Sequence, residues 1–423
     1  MLAVLAVLAT SAITWHRPIE LARGGGERGP WQQNESRFDH VDDPSIAMDV
    51  AGGTYLAWVD HRPKDVFVQV LDPDGAPKGD PVNVSRTPAT FSWLPRLAVS
   101  PAHPRDVYVL WQEIIFSGGP HGGDILFARS RDGGRTFSSP INLSHSIDGD
   151  GKGRIDRTTW QNGSLDLAVA PDGRIATAWT DYEGHLWFAS SSDRGASFNQ
   201  PRAIVASSTR PARAPSLAAS REALYLAWST GEDPGADIRV ATSRDGGRTF
   251  TAPVRVARSP GFSDAPKLAV DARGTLHLAY ANGDDIVYTR SRDGRRFAPP
   301  VMLSRPRPPV TERASFPSLA VDGDAVHVTW ELYSDRDAEP RGLAHVMSTD
   351  GGDTFTPPYE VPGSADPDGG ANGSFQGRLM RKLAVHDGEV AIVNSTLLLG
   401  RSSRVWLVRG TAREATTGRQ RSV

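Results

Sequence analysis

The chain has 423 residues, of which 39% are hydrophobic and 23% charged, and its formal net charge is -2. This is the composition of an ordinary globular protein, so it argues against a disordered or membrane-embedded chain, and no basic excess is present to bind nucleic acid phosphates. The sequence contains no cysteine, which excludes disulfides, thiolate metal sites and a cysteine nucleophile.

Residues 1–12 form an apolar segment at the start of the chain. Their length is that of the hydrophobic part of a signal peptide, and Thr10, Ser11 and Ala12 offer a cleavage site of small residues. The basic residues that normally precede such a segment are missing, and the segment is too short to span a bilayer. We therefore expect a partial signal peptide and a secreted or periplasmic protein; the alternative is a buried apolar strand.

A short phrase of the type Pro-x-Leu-Ala-Val recurs along the chain and defines an internal repeat. Each phrase is followed by a second apolar strand, a third strand with alternating apolar residues, a turn and a fourth strand. Such four-stranded sheets bury their faces only by stacking on their neighbours, so we expect an all-β fold, a seven-bladed β-propeller of four-stranded antiparallel blades. The alanine of the phrase is found at Ala47, Ala98, Ala168, Ala218, Ala269, Ala320 and Ala384, which gives spacings of 51, 70, 50, 51, 51 and 64 residues.

The two ends of the repeat region predict how the ring closes. The seventh unit stops after its third strand at residues 404–409, whereas residues 17–22 near the start of the chain resemble the fourth strands of other units. We expect this N-terminal strand to complete the last blade, which would leave the ring without an open edge. The expected organisation is one propeller domain over residues 15–410, followed by a polar tail over residues 411–423.

The turn between the third and fourth strands carries a second repeated pattern, Ser-x-Asp-x-Gly-x-[Ser/Thr]-Phe. It is present at residues 130–137, 191–198, 243–250 and 348–355. This is the Asp box, and from about residue 15 to 410 the chain resembles the sialidase-like Asp-box superfamily. The expected role of the pattern is structural, because the aspartate accepts backbone N–H groups, the glycine supplies a positive φ, and the aromatic ring fills the gap between sheets.

Function is expected on one face of the ring, where the first strands begin and the second strands end around the central channel. We call it the mouth face and the opposite one the Asp-box face. Carboxylates with interspersed aromatic residues at the mouth favour a polyhydroxylated ligand, so we expect a carbohydrate or glycoconjugate partner and assume a monomer. The residues expected to bind substrate there are Asp60, Trp93, Arg96, Glu113, Asp181 and Tyr182.

The resemblance to sialidases implies a specific set of catalytic residues. Sialidases use a tyrosine nucleophile activated by a glutamate, and an aspartic acid as acid and base. Tyr333 and Glu331 are the candidates for the first two roles because they share a loop, although residues two apart can also form a plain solvated pair. Asp65 is the candidate for the acid and base, and it lies closer to the preceding arginine than in the family pattern.

The resemblance also implies arginines that bind a substrate carboxylate. Arg62 stands in an aromatic-x-Asp-x-Arg segment like that of the family, and Arg213 and Arg313 precede later first strands. The chain departs from the family in two ways. Asp42 stands where the first arginine of the family is expected, and catalytic sialidases have six blades.

A metal site and three functional hypotheses complete the sequence-based expectations. Asp148, Asp150 and Asp156 resemble half of a calcium loop, although the closing glutamate is missing, so a polar surface loop is the alternative. No other cofactor is expected. The first hypothesis is a sialidase-like exo-glycoside hydrolase, the second a propeller that binds a glycan or a protein without catalysis, and the third a polysaccharide lyase. The candidate bases for a lyase on the mouth face include His61, His121 and His185.

Overall fold

The computed structural model describes residues 13–114, 123–145, 149–206, 209–256, 261–373 and 379–412. The predicted signal peptide, most of the polar tail, His121 and Asp148 therefore lie outside the described residues. Among the described residues, no helix is long and apolar enough to cross a membrane.

The described chain forms a β-propeller of seven antiparallel blades, which confirms the fold predicted from the repeat. The first strands of successive blades contact one another around the ring, and the first strand of blade 7 contacts that of blade 1. In order from the channel outwards, blade 1 has strands Val41–Met48, Thr54–Asp60, Asp65–Leu71 and Val82–Asn83, and blade 2 has Phe91–Val99, Val107–Ile114, Asp124–Ser130 and Ile141–Asn142. Blade 3 has Leu165–Val169, Ile175–Thr180, Leu186–Ser191 and Arg202–Val205, and blade 4 has Ala212–Ala219, Leu224–Thr230, Asp237–Ser243 and Val254–Arg255. Blade 5 has Ser263–Val270, Leu276–Asn282, Asp285–Ser291 and Val301–Met302, and blade 6 has Arg313–Asp322, Ala325–Tyr333, Leu343–Ser348 and Tyr359–Glu360.

Blade 7 is completed by the N-terminal part of the chain, as predicted. Its own strands are Leu383–His386, Glu389–Leu398 and Ser402–Ala412, and Ile19–Gly24 pairs with the last of these in an antiparallel register. A further strand, Ile13–Trp15, pairs with the end of the same strand. The N-terminal segment thus ties the start of the propeller to its end.

Short elements outside the blades lie on the mouth face. A ribbon of Glu27–Arg28 and Phe38–Asp39 precedes blade 1, with a 3-10 turn at Gln33–Glu35 between its strands. A second ribbon of Lys152–Arg154 and Trp160–Asn162 precedes blade 3, and Ala371–Asn372 pairs with the second strand of blade 7.

The core lies between neighbouring blades, where the aromatic residue near the end of each second strand is buried. This explains the repeated aromatic position, because each ring fills the space between two sheets. Blade 7 carries Asn394 instead, and Asn394 is part of a buried polar network described below. The buried rings are Trp58, Trp111, Trp179, Trp228, Tyr280 and Trp330.

The first strands of five blades share a bulge that positions the mouth face. In each, the residue before a proline has a positive φ between 50° and 59°, and the pairing with the second strand shifts at that point. A left-handed backbone is unusual for a non-glycine residue, and more so before proline, so the surrounding fold must impose it. The bulge residues are Asp43, Leu94, Ala214, Ala265 and Phe316.

The Asp-box turns on the opposite face are nearly identical in their hydrogen bonds. In blade 2, Asp132 accepts hydrogen bonds from the backbone N–H of Thr136 at 3.0 Å and from its hydroxyl at 2.6 Å, and Ser130 Oγ donates to Asp132 at 2.7 Å. The aromatic residue of the turn packs on a ring of the preceding blade, as Phe198 does on Phe127 with centroids 4.8 Å apart. The expected structural role of these turns agrees with this geometry.

Candidate functional site

The central channel is closed towards the mouth by residues 379–381, which precede the first strand of blade 7. The carbonyl of Leu379 accepts hydrogen bonds from Lys267 Nζ at 2.6 Å and from Arg96 Nη2 at 3.2 Å. Arg381 forms two hydrogen bonds with the buried carboxylate of Asp166. Burial lowers the pKa of Arg96 to about 10 and that of Lys267 to about 7.

Arg96, expected to bind substrate, is therefore buried in the channel. Its guanidinium donates to the carbonyl oxygens of Gly163 at 2.7 Å and Leu165 at 3.1 Å, on the next blade. These contacts join blades 2, 3 and 7. They account for the burial of the Arg96 guanidinium without a bound ligand.

The cavity of this channel opens at the other end. A cavity of about 290 Å³ lies on the Asp-box side and is lined mainly by alanine and aliphatic residues of the first strands, together with Ser216, Lys267, Ser318 and Arg381. The two charged groups in this lining already have partners, because Lys267 donates to the carbonyl of Leu379 and Arg381 to the carboxylate of Asp166. We therefore look for chemistry at the mouth face, in the polar side chains around the rim of the channel.

The predicted catalytic pair in blade 6 is buried. The carboxylate of Glu331 accepts hydrogen bonds from Lys382 Nζ at 2.5 Å and from Asn372 Nδ2 at 2.6 Å, and Lys382 also donates to Asn394 Oδ1 at 2.8 Å. Tyr333 is 1% exposed, beneath the guanidinium of Arg313, which lies 4.8 Å from its ring centre. This geometry favours a structural network over a nucleophile and its activator, and the catalytic assignment stays a prediction.

Asp65, the candidate acid and base, is also enclosed by donors. It accepts hydrogen bonds from Ser85 Oγ and Asn83 Nδ2 at 2.7 Å each and from the backbone N–H of Thr87 at 2.9 Å. The same contact recurs in blade 5, where Ser304 donates to Asp285 at 2.9 Å. An aspartate at the start of the third strand therefore holds the segment after the fourth strand by hydrogen bonds. This is a structural role for Asp65.

The three arginines expected to bind a carboxylate lie on different blades with different partners. Arg62 is 75% exposed and donates twice to Asp39, at 3.0 Å each. Arg213 is fully buried and donates to Asp264 at 3.0 Å and to the carbonyl of Gly231 at 2.8 Å. The structure thus gives no sign of a shared anion site for Arg62, Arg213 and Arg313.

Two further predicted residues, Asp60 and Glu113, lie at the mouth ends of the second strands of blades 1 and 2. Glu113 is buried and accepts hydrogen bonds from Ser92 Oγ and Trp111 Nε1 at 2.7 Å each, and also from the hydroxyl of Thr90. Burial raises the pKa of Glu113, although these donors oppose the shift. Burial likewise raises the pKa of Asp60, which accepts the backbone N–H of Arg62.

In blade 3, the structure brings together the predicted Asp181 and a histidine that the sequence placed on the same face. Asp181 Oδ2 lies 2.9 Å from Nδ1 of His185 and accepts the indole N–H of Trp187 at 2.9 Å. The carboxylate is buried, whereas the His185 side chain is 31% exposed. Tyr182, next in the chain, stacks on Trp160 with ring centres 4.8 Å apart and an interplanar angle of 19°.

In blade 1, the unexpected Asp42 is the centre of a buried cluster with two histidines. Its Oδ1 lies 2.7 Å from His61 Nε2 and its Oδ2 lies 3.6 Å from His40 Nε2. Burial lowers the pKa of both histidines to about 4 and raises that of Asp42. Sequence reasoning missed His40, because the spacing of two residues between His40 and Asp42 does not by itself predict that their side chains meet.

Aromatic residues cover this cluster and include the predicted Trp93. The ring of Trp93 lies 5.2 Å from that of Trp31, which is 49% exposed, and Phe38 and Phe91 pack between Trp31 and the histidines. A partly exposed aromatic surface therefore runs from the cluster in blade 1 to the edge of blade 2.

Of the three predicted calcium ligands, two can be placed. Asp150 is buried and pairs with Asp181 through a backbone bridge, while Asp156 accepts the N–H and the hydroxyl of Thr158 in its own turn. Asp148 lies outside the described residues, so calcium binding stays a prediction.

No protein-family model matches the chain, and no curated protein matches it by sequence. Solved structures do match. A protein of unknown function from Dyadobacter fermentans is 14% identical with a TM-score of 0.52, and the match covers 94% of this chain and 99% of that one. A polysaccharide lyase, Uly1, is 10% identical with a TM-score of 0.54 and coverages of 95% and 100%. A Trypanosoma rangeli sialidase matches more loosely, at 12% identity and a TM-score of 0.47, over 92% of this chain and 58% of the sialidase. At these identities the similarity is one of fold.

Proposed function

We propose that this chain is a carbohydrate-directed propeller that binds a polysaccharide on the mouth face at blade 3 and removes a proton from it with His185. The observation that carries the proposal is the contact of 2.9 Å between His185 Nδ1 and the buried carboxylate of Asp181. A carboxylate in this position holds the imidazole in the tautomer whose Nδ1 donates, which leaves Nε2 as the proton acceptor.

The surroundings of His185 suit a sugar substrate. The histidine is part-exposed, as a base that must reach a substrate has to be, and Tyr182 of the same turn stacks on Trp160 of the ribbon before blade 3. Aromatic rings offer an apolar face to a pyranose ring, while the polar groups at their edges orient its hydroxyls.

The reaction that such a base supports is β-elimination in a uronate polymer. The proton next to the carboxylate moves to His185 Nε2, the electron pair forms a carbon–carbon double bond, and the bond to the glycosidic oxygen breaks. The leaving oxygen takes a proton from an acid or from water. This chemistry needs a neutral imidazole rather than a tyrosine nucleophile, so the burial of Tyr333 and Glu331 does not oppose it.

The fold is compatible with this reaction, since a polysaccharide lyase has the same architecture over nearly the whole chain. Hydrolysis of a glycoside, which the Asp-box resemblance implies, is less well supported. It needs two reachable groups beside the scissile bond, and Asp65, Glu331 and Tyr333 are each at most 2% exposed.

The test is a panel of uronate polysaccharides, in which elimination produces an unsaturated uronate that absorbs ultraviolet light. We expect absorbance with the wild-type protein and its loss, by at least about a hundredfold in rate, in His185→Asn. Asp181→Asn should lose nearly as much because the imidazole is no longer oriented. The control is His103→Asn, an exposed histidine in the loop between the first and second strands of blade 2, on the opposite face.

Parallel assays separate the rival hypotheses. Release of the fluorophore from a panel of glycosides that includes a sialoside, without ultraviolet absorbance, would refute elimination and favour hydrolysis. Saturable binding of a polysaccharide without turnover would refute catalysis and leave a carbohydrate-binding protein.

A further inference from the structure

The cluster of His40, Asp42 and His61 has the geometry of a metal site rather than of a hydrophobic core. One donor atom from each side chain lies within 4.8 Å of the others. In the part of the chain that the structure describes, no second group of three histidine, cysteine, aspartate or glutamate residues meets this condition. Each of the three side chains is at least nine-tenths buried.

Three polar atoms of the cluster have no hydrogen-bond partner among the described residues, namely His40 Nε2, Asp42 Oδ2 and His61 Nδ1. His40 Nε2 and Asp42 Oδ2 face each other at 3.6 Å, and both are shielded from solvent. A buried acceptor without a partner costs about 1–3 kcal/mol, so native proteins retain one mainly where an ion, a water or a ligand satisfies it. The unpartnered atoms of this cluster therefore point to a ligand.

The fold orients His40 by an outer hydrogen bond, whereas Nδ1 of His61 has no hydrogen-bond partner among the described residues. His40 Nδ1 lies 3.4 Å from the carbonyl oxygen of Glu27, a contact in which Nδ1–H donates and Nε2 is left as a lone-pair donor towards Asp42. Metal-binding histidines commonly have such an outer hydrogen bond. The backbone N–H of His61 donates to the carbonyl of His40 at 3.0 Å, and the imidazole rings are 3.8 Å apart. Asp42 lies directly before the bulge at Asp43.

We propose that His40, Asp42 and His61 bind one divalent transition-metal ion of the zinc class. Two imidazole nitrogens and one carboxylate oxygen are ligands that zinc prefers, and in a tetrahedral site three protein ligands leave a fourth position for water or an anionic group. To bind the ion through Nε2, His61 would give up its contact with Asp42 and carry its proton on Nδ1, which has no hydrogen-bond partner among the described residues. The ion would neutralise the buried carboxylate.

The site gives a reason for the departure from the sialidase pattern at Asp42. An arginine expected at this position would supply a positive charge at the mouth, and here a carboxylate with two histidines would supply a metal ion instead. The inference does not rest on the proposed reaction in blade 3, because the ligands belong to blade 1 and the segment before it.

Metal binding by the purified full chain tests this proposal without any activity assay. After removal of metals with a chelator, we expect the wild-type protein to bind one equivalent of Zn²⁺ in a calorimetric titration. Cobalt(II) bound at the same site should give the intense visible spectrum of a tetrahedral complex. Asp42→Asn and His61→Gln should weaken the affinity by at least about tenfold each.

The matched control is His277→Gln, which removes another buried histidine that contacts an aspartate, Asp271, at 3.5 Å. Its metal affinity should equal that of the wild type. Because core variants can unfold, the wild-type protein alone gives a second measurement: its melting temperature should rise with Zn²⁺ and not with Mg²⁺. Less than one-tenth of an equivalent of bound zinc, or the same affinity in Asp42→Asn as in His277→Gln, would overturn the proposal and leave a hydrogen-bonded triad.

Discussion

The two faces of the propeller follow different rules. On the Asp-box face, equivalent positions in blades 2, 3, 4 and 6 carry the same residue type and make the same contact: Asp132, Asp193, Asp245 and Asp350 each accept the hydroxyl four residues later at 2.6 Å. On the mouth face, the equivalent position before each bulge is occupied by Asp42, Trp93, Arg213, Asp264 and Ser315. The repeated contacts therefore stabilise the ring, whereas the variable residues of the mouth face give each blade a different local environment.

The largest effect is expected in a buried network of the mouth face. Glu331→Gln keeps the shape of the side chain but removes the charge that balances Lys382, which is itself 4% exposed. Leaving a buried charge without its partner should lower the free energy of unfolding by about 3–5 kcal/mol. Urea unfolding followed by circular dichroism measures this loss, and Glu360→Gln, an exposed glutamate of the same blade, is the control.

A double variant separates this structural role from the catalytic role that the sequence suggested. Glu331→Gln with Lys382→Met removes both charges, so most of the lost stability should return. A stable Glu331→Gln protein that has lost turnover would instead assign Glu331 to the chemistry.

The second effect concerns the Asp-box face, where removal of equal contacts should lower the free energy of unfolding by equal amounts. Asp132→Ala and Asp350→Ala each remove hydrogen bonds from a hydroxyl and from backbone N–H groups to a charged acceptor. We expect each to lower the free energy of unfolding by about 2 kcal/mol. Asp172→Ala removes an exposed ion pair with Arg174 and one long hydrogen bond from its backbone N–H, and should change it by less than about 1 kcal/mol. Strongly unequal losses in the two Asp boxes would contradict the uniformity of this face.

The same difference between the faces decides what the sequence could predict. Blade number, strand order and the N-terminal closing strand follow from local patterns that recur in every unit, and all three are confirmed. The contacts at the mouth join residues far apart in the chain, such as Glu331 with Lys382 on the next blade. No local sequence pattern predicts such a pair. Asp181 and His185 were visible to sequence reasoning as residues of one loop, but their contact requires the turn geometry.

A smaller effect should appear in acid. Burial raises the pKa of Asp132 and of Asp350, but hydrogen bonds from Thr136 and Thr354 outweigh it and lower each pKa to about 2, from an ordinary value of 3.8. A carboxyl with a lower pKa in the folded state stabilises the protein above its ordinary pKa, and this stability is lost as the pH falls from about 4 to 2.

The melting temperature measured between pH 5 and pH 2 tests this expectation. It should fall with pH more steeply in the wild type than in a variant with both Asp132→Ala and Asp350→Ala. Parallel curves for the two proteins would mean that other carboxylates dominate the acid response.

The smallest effect is expected for Arg62→Ala, which tests whether the polysaccharide binds at blade 1 or at blade 3. Arg62 is 75% exposed and pairs with Asp39, so its loss should change the free energy of unfolding by about 1 kcal/mol or less. If Arg62 held a substrate carboxylate, the variant would bind polysaccharide more weakly. If the sugar lies in blade 3, its affinity should be unchanged, whereas Tyr182→Ala, which removes one ring of the stack with Trp160, should weaken binding by about tenfold or more. Calorimetric titration of the two variants with the same polysaccharide distinguishes these outcomes, because each variant changes the affinity only if its own blade contacts the sugar.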